Sequence, residues 1–306
     1  MLKLLTAALC ATICLSDLAE AQDRQRLGYG RLLTNDFFGD GEDRWRTGGF
    51  QSSRVWGPAW EGMAPSGFGQ LLELRLAAEI LAPDDIRTPD PSDRPYAGAL
   101  SIGLHTHFAR GPMEYSVGGD VVFLGPQTRL DEFQDAFHDT FNIVPPSDAV
   151  RDAQIENDIL PNLVAEAGRS FQVGQASSLR PFVEARAGVE TLVRAGVDFT
   201  YGGGLGQGEL LVRDGVSGQR YRVVQADWTG FSFVVGADIA RVSDSEFLPS
   251  ERGIGLEETR ERVRAGVMWR SETGISGFYG LTYLGEEFEG QDEGQIVGAI
   301  RWRVPF

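Results

Sequence analysis

Three histidines, His105, His107 and His138, are the only imidazoles in the chain. Imidazole is the side chain that titrates near neutral pH, so a general base is sought among them first. His105 and His107 stand two apart in Ile102-Gly103-Leu104-His105-Thr106-His107-Phe108, which in a strand sets both on one face. They read either as a pair of metal ligands or as two side chains of a polar wall. His138 stands apart, in the one stretch where apolar residues recur at helical spacing: Leu130, Phe133, Phe137 and Phe141. Gln134 would share its helix face. An oxygen-rich run, Asn35-Asp36-Phe37-Phe38-Gly39-Asp40-Gly41-Glu42-Asp43, has the donors a hard cation such as calcium prefers, although its spacing is not that of an EF-hand. It reads equally as a solvated hairpin turn.

Other chemistries lack their signatures. There is no Gly-x-Ser-x-Gly elbow, His-Glu-x-x-His, phosphate-binding loop or dinucleotide fingerprint. A serine paired with His138 through the fold stays open, because triads are spatial arrangements. Cys10 and Cys14 both fall in what reads as a cleaved leader, so no disulfide, thiolate metal site or cysteine nucleophile is expected after processing. That leader has Lys3 as its positive start, an apolar core from Leu4 to Leu15 and a small-x-small site at Ala19-Glu20-Ala21, giving residues 1–21 as signal peptide and 22–306 as one continuous domain. A net charge of −16 and a pI near 4.6 exclude a nucleic-acid surface, which needs clustered Lys and Arg.

The elements that must position these residues are strands. Leu72, Leu74, Leu76, Ala78 and Ile80 alternate with Glu73, Arg75 and Glu79; Val263, Ala265, Val267 and Trp269 alternate with Arg262, Arg264 and Arg270. Phe231 to Ile239 and Val183 to Val189 behave alike, with Asp238, Glu184 and Arg186 on the second face. One greasy and one charged face is the period-2 pattern of a transmembrane barrel strand, apolar toward lipid and polar toward the lumen. About twelve such segments are predicted, near 26–36, 45–56, 69–82, 96–109, 113–124, 161–173, 180–190, 192–203, 221–242, 260–270, 275–287 and 294–306. The last places Ile296, Gly298, Ile300, Trp302, Val304 and Phe306 on one face and stops at the aromatic, resembling the terminal-strand signal read by the outer-membrane barrel assembly machinery. The expectation is an all-β, antiparallel outer-membrane barrel of a Gram-negative-type bacterium with a short helical insertion. A soluble sheet ending in an edge strand is the competing reading.

Thr34-Asn35-Asp36, Asp43-Arg44-Trp45-Arg46-Thr47-Gly48-Gly49, Asp93-Arg94-Pro95-Tyr96-Ala97-Gly98 and Leu124-Gly125-Pro126, with Gln134 and His138 downstream, occur in an order that resembles the lipid A 3′-O-deacylase (LpxR) family. The resemblance implies a twelve-stranded outer-membrane barrel that uses calcium to hydrolyse an ester-linked acyl chain from lipid A. It implies His138 as the base on water, Asn35 and Thr47 as oxyanion donors, Asp36 as the calcium ligand, and Arg87 as a weak match to a basic residue that would meet lipid A phosphates. Three departures accompany it. Arg46 stands where the family has Tyr, Gln127-Thr128-Arg129-Leu130 replaces a Gly-rich stretch, and Asn142-Ile143-Val144-Pro145-Pro146 stands where an acidic residue is expected after the histidine. Asp139 or Asp148 could orient His138 instead. Arg94 and Tyr96 are read as structural. The alternative to the esterase is a non-catalytic barrel, either an inactive family member or a small pore.

Overall fold

The computed structural model describes residues 24–305; the expected leader and Phe306 lie outside them. Twelve strands form a closed wall: β1 (Gln25–Asn35), β2 (Trp45–Gly57), β3 (Leu71–Ala82), β4 (Ala97–Arg110), β5 (Met113–Leu124), β6 (Asp158–Gly168), β8 (Ser177–Ala187), β9 (Glu190–Gly202), β12 (Gly230–Ser245), β13 (Thr259–Arg270), β14 (Ser276–Leu284) and β15 (Gln295–Arg303). Every pairing is antiparallel, and closure comes from β1 against β15, with Leu33 opposite Ile300, and from β6 against β8, with Leu163 opposite Ala187. The two-residue β7 (Phe171–Gln172) only lengthens the edge of β8. Two helices, α1 (Leu130–Phe141) and α2 (Asp148–Asp152), occupy the connection between β5 and β6. No described helix is long and apolar enough to cross a membrane.

Alternation along each strand sorts the side chains. Leu33, Phe50, Leu76, Ile102, Leu104, Val121, Val183, Phe233, Val235 and Val263 are exposed on the outside, whereas Glu73, His105, His107, Asp120, Glu184, Arg194, Asp238, Arg262 and Arg264 are buried inside. An apolar exterior around a charged interior is the inverse of a water-soluble domain and suits a bilayer. The interior charges are paired: Arg262 and Arg194 reach Asp238 at 2.9 and 3.0 Å, Arg264 joins Asp238 and Asp198, and Glu184 accepts from Arg186 and Arg194 at 2.9 and 2.8 Å. Each of these ions is then compensated where water is scarce.

The segment expected as one strand over 221–242 is two different things. Residues 220–224 form β11 (Arg220–Val224), which pairs with β10 (Leu210–Arg213) in a hairpin separate from the wall, and the wall strand begins only at Gly230. The hairpin lies in the lumen. Tyr221, Val223 and Val212 pack with Leu32, Val55, Leu71, Met268 and Phe278 of the wall, and the tip residue Gln219 donates to the carbonyls of Ala265 and Leu281. Glycine makes the close approach possible, since a Cβ at Gly28 would stand 2.1 Å from the Val223 carbonyl oxygen. Alternation alone reads a lumen hairpin and a wall strand identically, because both have one face against the interior. The plug leaves cavities of about 120 and 240 Å³ inside the barrel.

The final strand is also shorter than expected. β15 ends at Arg303, with Pro305, which has no N–H to give a ladder, following it.

Candidate active site

The β1–β2 connection is folded tightly, contrary to a solvated hairpin turn. A 3-10 turn over Asp36–Phe38 is capped by Asn35, whose Oδ1 accepts from the Phe37 N–H at 2.9 Å. The turn is pinned to the outside of β14 by Tyr279, whose hydroxyl donates to the Phe38 carbonyl, and of β15 by Asp40, which exchanges hydrogen bonds with Ile296. Beyond it β2 starts with a bulge: the register to β3 slips between Trp45 and Gly48, and Trp45 holds a φ of 52°. A bulky residue in that region is strained and stays there only when its surroundings hold it. Here Trp45 is clamped by Leu248, Ile254 and Phe288, with the Arg44 guanidinium 4.2 Å above its ring. The bulge re-aims two consecutive side chains. Arg46 runs into the lumen, to Glu79, Glu190 and Glu287 at 2.5, 3.0 and 2.6 Å; Thr47 turns to the acidic loop, donating between Asp43 Oδ1 at 2.6 Å and Asp36 Oδ1 at 3.1 Å.

Helix α1 comes down on this loop from the β5–β6 connection. Its amphipathicity is inverted: Asp131, Gln134 and His138 are buried, while Phe133, Phe137 and Phe141 face outward, Phe133 at 62% exposure against 4% for His138. The Phe137 and Phe141 rings lie tilted against each other with centroids 4.6 Å apart. An apolar stripe on the open side fits an interfacial helix whose outer face meets lipid. The buried side carries the chain of contacts that matters. Tyr96 donates to Gln134 Oε1 at 2.7 Å, Gln134 donates to Asp43 Oδ1 at 3.1 Å, and His138 Nε2 stands 3.3 Å from Asp43 Oδ2. The other imidazole nitrogen, Nδ1, donates to the Val144 carbonyl at 2.9 Å; a carbonyl only accepts, so the Nδ1 proton is fixed and Nε2 is the basic edge. Asn142, with a φ of 56°, ends the helix, and the Ile143 N–H returns to the His138 carbonyl, folding residues 143–145 back over the ring.

Of the expected residues, Asn35, Asp36, Thr47 and His138 converge here. Neither Asp139 nor Asp148 orients His138: Asp43, from the opposite loop, and the Val144 carbonyl do so. The stretch that departs from the family pattern after the histidine thus supplies a backbone acceptor in place of a carboxylate. Sequence pattern could not pair Asp43 with a histidine 95 positions away; the acidic run containing it was the available signal. Arg87 is exposed and donates to the Pro145 carbonyl, next to the residue that holds His138. His105 and His107 are not a ligand pair: they reach separate carboxylates, Asp120 at 2.9 Å and Glu73 at 2.7 Å, as parts of the lumen wall. The Arg94-Pro95-Tyr96 piece divides, Arg94 going to Glu287 inside and Tyr96 to Gln134 at the site.

Negative charge at the site is undercompensated. Burial, with Asp43 and Asp40 nearby, pushes the Asp36 carboxyl up to about 8 despite the Arg44 N–H and the Thr47 hydroxyl that favour its anion. Asp43 Oδ2 is buried without a hydrogen-bond partner among the described residues, facing the Nε2 edge of His138. Two acceptors face to face need a proton or an ion between them. No group of three or more His, Cys, Asp or Glu gathers as a metal site among the described residues, so a cation here would rest on two carboxylates and neutral oxygens. That all-oxygen set, short of positive charge, fits calcium.

A closed antiparallel barrel, apolar outside and charged within, with a buried acid and imidazole cluster on the outer face at one rim, defines an outer-membrane β-barrel. The family described as "Outer membrane protein LpxR" matches residues 4–306, and the chain belongs to the LpxR family. Among solved structures, LpxR from Salmonella typhimurium superposes with a TM-score of 0.74 at 17% identity, covering 90% of this chain and all of that one. The β domain of the Bordetella autotransporter BrkA is also similar, at a TM-score of 0.41 and 12% identity over 92% of this chain and 99% of that one. No curated protein sequence matches significantly.

Proposed function

We propose that this protein is an outer-membrane esterase that removes an ester-linked acyl chain from lipid A, with His138 as general base on water and calcium as its cation. The observation that carries this reading is the place of His138: a basic Nε2 edge, fixed by the Val144 carbonyl, stands beside an uncompensated carboxylate pair on the outer side of the wall, beneath a helix whose exposed face is phenylalanine. An acyl chain already dissolved in the bilayer meets the site laterally. The helix-bearing end, opposite the chain termini, is the extracellular one, where outer-membrane barrels carry their longer loops and where lipid A resides.

In this reading His138 Nε2 takes the proton of a water as its oxygen attacks the ester carbonyl, and the Val144 carbonyl and Asp43 stabilise the imidazolium that results. Asn35 presents its remaining amide N–H, the other being bonded to the Thr47 carbonyl at 2.7 Å, to the developing oxyanion. Thr47 has one hydroxyl proton and two carboxylates to serve, so it positions Asp36 and Asp43 and is not free to donate to substrate. Asp36 and Asp43, with the Asn35 and backbone oxygens of the loop, would hold the calcium, which would supply Lewis-acid polarisation of the ester carbonyl. Arg87, on the neighbouring loop, is suited to a lipid A phosphate. No lumen residue is needed, and the hairpin that fills the lumen gives a pore reading nothing to conduct through.

Mass spectrometry of lipid A from cells making the protein tests this reading. Loss of one ester-linked acyl chain is expected with the wild type and not with His138→Ala, which still inserts as a heat-modifiable barrel; unchanged lipid A with the inserted wild type, or deacylation by the variant, would overturn it.

A further inference from the structure

The opposite end of the wall carries a second feature that the ester chemistry does not use. On β1 the outward positions are Tyr29, Arg31 and Leu33, with Leu32 and Thr34 buried between and beside them. Arg54 of β2 pairs in register with Tyr29 and is also exposed. The guanidinium groups of Arg26, Arg31 and Arg303 lie 5.7, 5.8 and 5.7 Å from the centre of the single Tyr29 ring. Three like charges are therefore drawn around one aromatic face, with a fourth on the adjoining strand. Among the described residues none of the four makes an ion pair. The lumen treats arginine differently: Arg213, Arg222, Arg262 and Arg264 each have a carboxylate.

Beside the cluster a groove of about 670 Å³ runs up the outer surface across the β1–β15 seam, lined by Tyr29, Leu33, Trp269, Ile300 and Trp302 and bordered by Arg31. Its volume falls within the roughly 300–1,000 Å³ of ligand clefts. An outward arginine below an apolar band is costly in lipid unless an anion meets it, and aromatic residues at this level mark the membrane interface. We propose that the patch binds one anionic phospholipid of the leaflet facing the chain termini, its phosphate among Arg26, Arg31, Arg54 and Arg303 and an acyl chain in the seam groove. Charge complementarity selects the headgroup, and continuity of the cluster with the apolar groove selects a lipid over free phosphate. The bound lipid would staple the seam where the first and last strands meet.

Native mass spectrometry of the full chain, released from micelles containing equal amounts of phosphatidylglycerol and phosphatidylcholine with identical acyl chains, tests this. About tenfold more phosphatidylglycerol than phosphatidylcholine is expected on the wild type, a difference of ~1.4 kcal/mol. Near-equal retention is expected for Arg31→Leu combined with Arg54→Leu, a pair that places apolar side chains toward lipid and leaves the ester site untouched. Equal retention of both lipids by the wild type, or an unchanged preference in the double variant, would overturn the proposal; so would displacement of the lipid by millimolar inorganic phosphate.

Discussion

Two carboxylates on either side of one strand bulge behave oppositely. Glu287, inside the barrel, is deeply buried, yet Arg46, Arg260 and Arg94 outweigh the burial and hold it down to about 2. Asp36, just across the wall, is as inaccessible but has only the Phe37 and Arg44 N–H groups and the Thr47 hydroxyl in its favour, and burial drives it up to about 8. The wall pairs its interior charge with care and leaves the outer site short of a cation. Arg46 and Thr47 are adjacent in sequence, so a bulge of one residue separates a scaffold from a reactive centre. The departure at Arg46 belongs to the scaffold: its guanidinium is spent on three lumen carboxylates and does not enter the site.

The comparison can be broken from the scaffold side first. Arg46→Ala strands Glu79 without its cation, while Glu190 and Glu287 keep Arg260 and Arg94, and is expected to cost about 3–5 kcal/mol of stability, read as an equilibrium urea unfolding shift in lipid vesicles; a loss within experimental error would mean the lumen does not depend on this pairing. On the reactive side, Asp36→Asn should slow ester hydrolysis about a hundredfold at saturating calcium, ~2.7 kcal/mol. A rate equal to wild type would remove Asp36 from the site's chemistry.

The raised Asp36 carboxyl sets the sign of a pH effect. Its folded value of about 8 lies above the 3.8 of a free carboxyl, so between these limits the native state holds more protons than the unfolded one and loses stability as pH rises. In chelator, the thermal midpoint should therefore fall from pH 5 to pH 8; calcium, or Asp36→Asn, should flatten that slope, and a midpoint rising over the same window would contradict the assignment. Smaller still, Asp43→Asn removes the partner of His138 without removing the base. It should lower kcat about tenfold with little change in KM, ~1.4 kcal/mol, and Asp43→Glu should restore part of the loss. An equal loss in KM alone would make Asp43 a substrate contact.

The wall was legible because period-2 alternation over ten or so residues is forced by lipid outside and charge inside. Leu72 to Ile80 and Phe231 to Ile239 could hardly be read otherwise. Arg220–Val224 was misread because a lumen hairpin alternates too, and nothing local says which wall a strand joins. At the site, Asn35, Asp36, Thr47 and His138 were found through spacing that resembles a family; the Asp43 contact, the Val144 carbonyl and the inward turn of Arg46 depend on a bulge and a helix cap, which only tertiary geometry reveals. The Phe133, Phe137 and Phe141 stripe gave the helix, and its exposure in the structure shows that the helix's buried face is the polar one.

The central claim is that the uncompensated Asp36–Asp43 pair holds a cation needed by the His138 base. The rate of acyl release from purified lipid A by the detergent-solubilised protein, measured against free calcium after exhaustive chelation, tests it most directly. The account predicts a rate near background in chelator that rises with calcium for the wild type and stays flat for Asp36→Asn; a full rate in chelator, indifferent to added calcium, would contradict it.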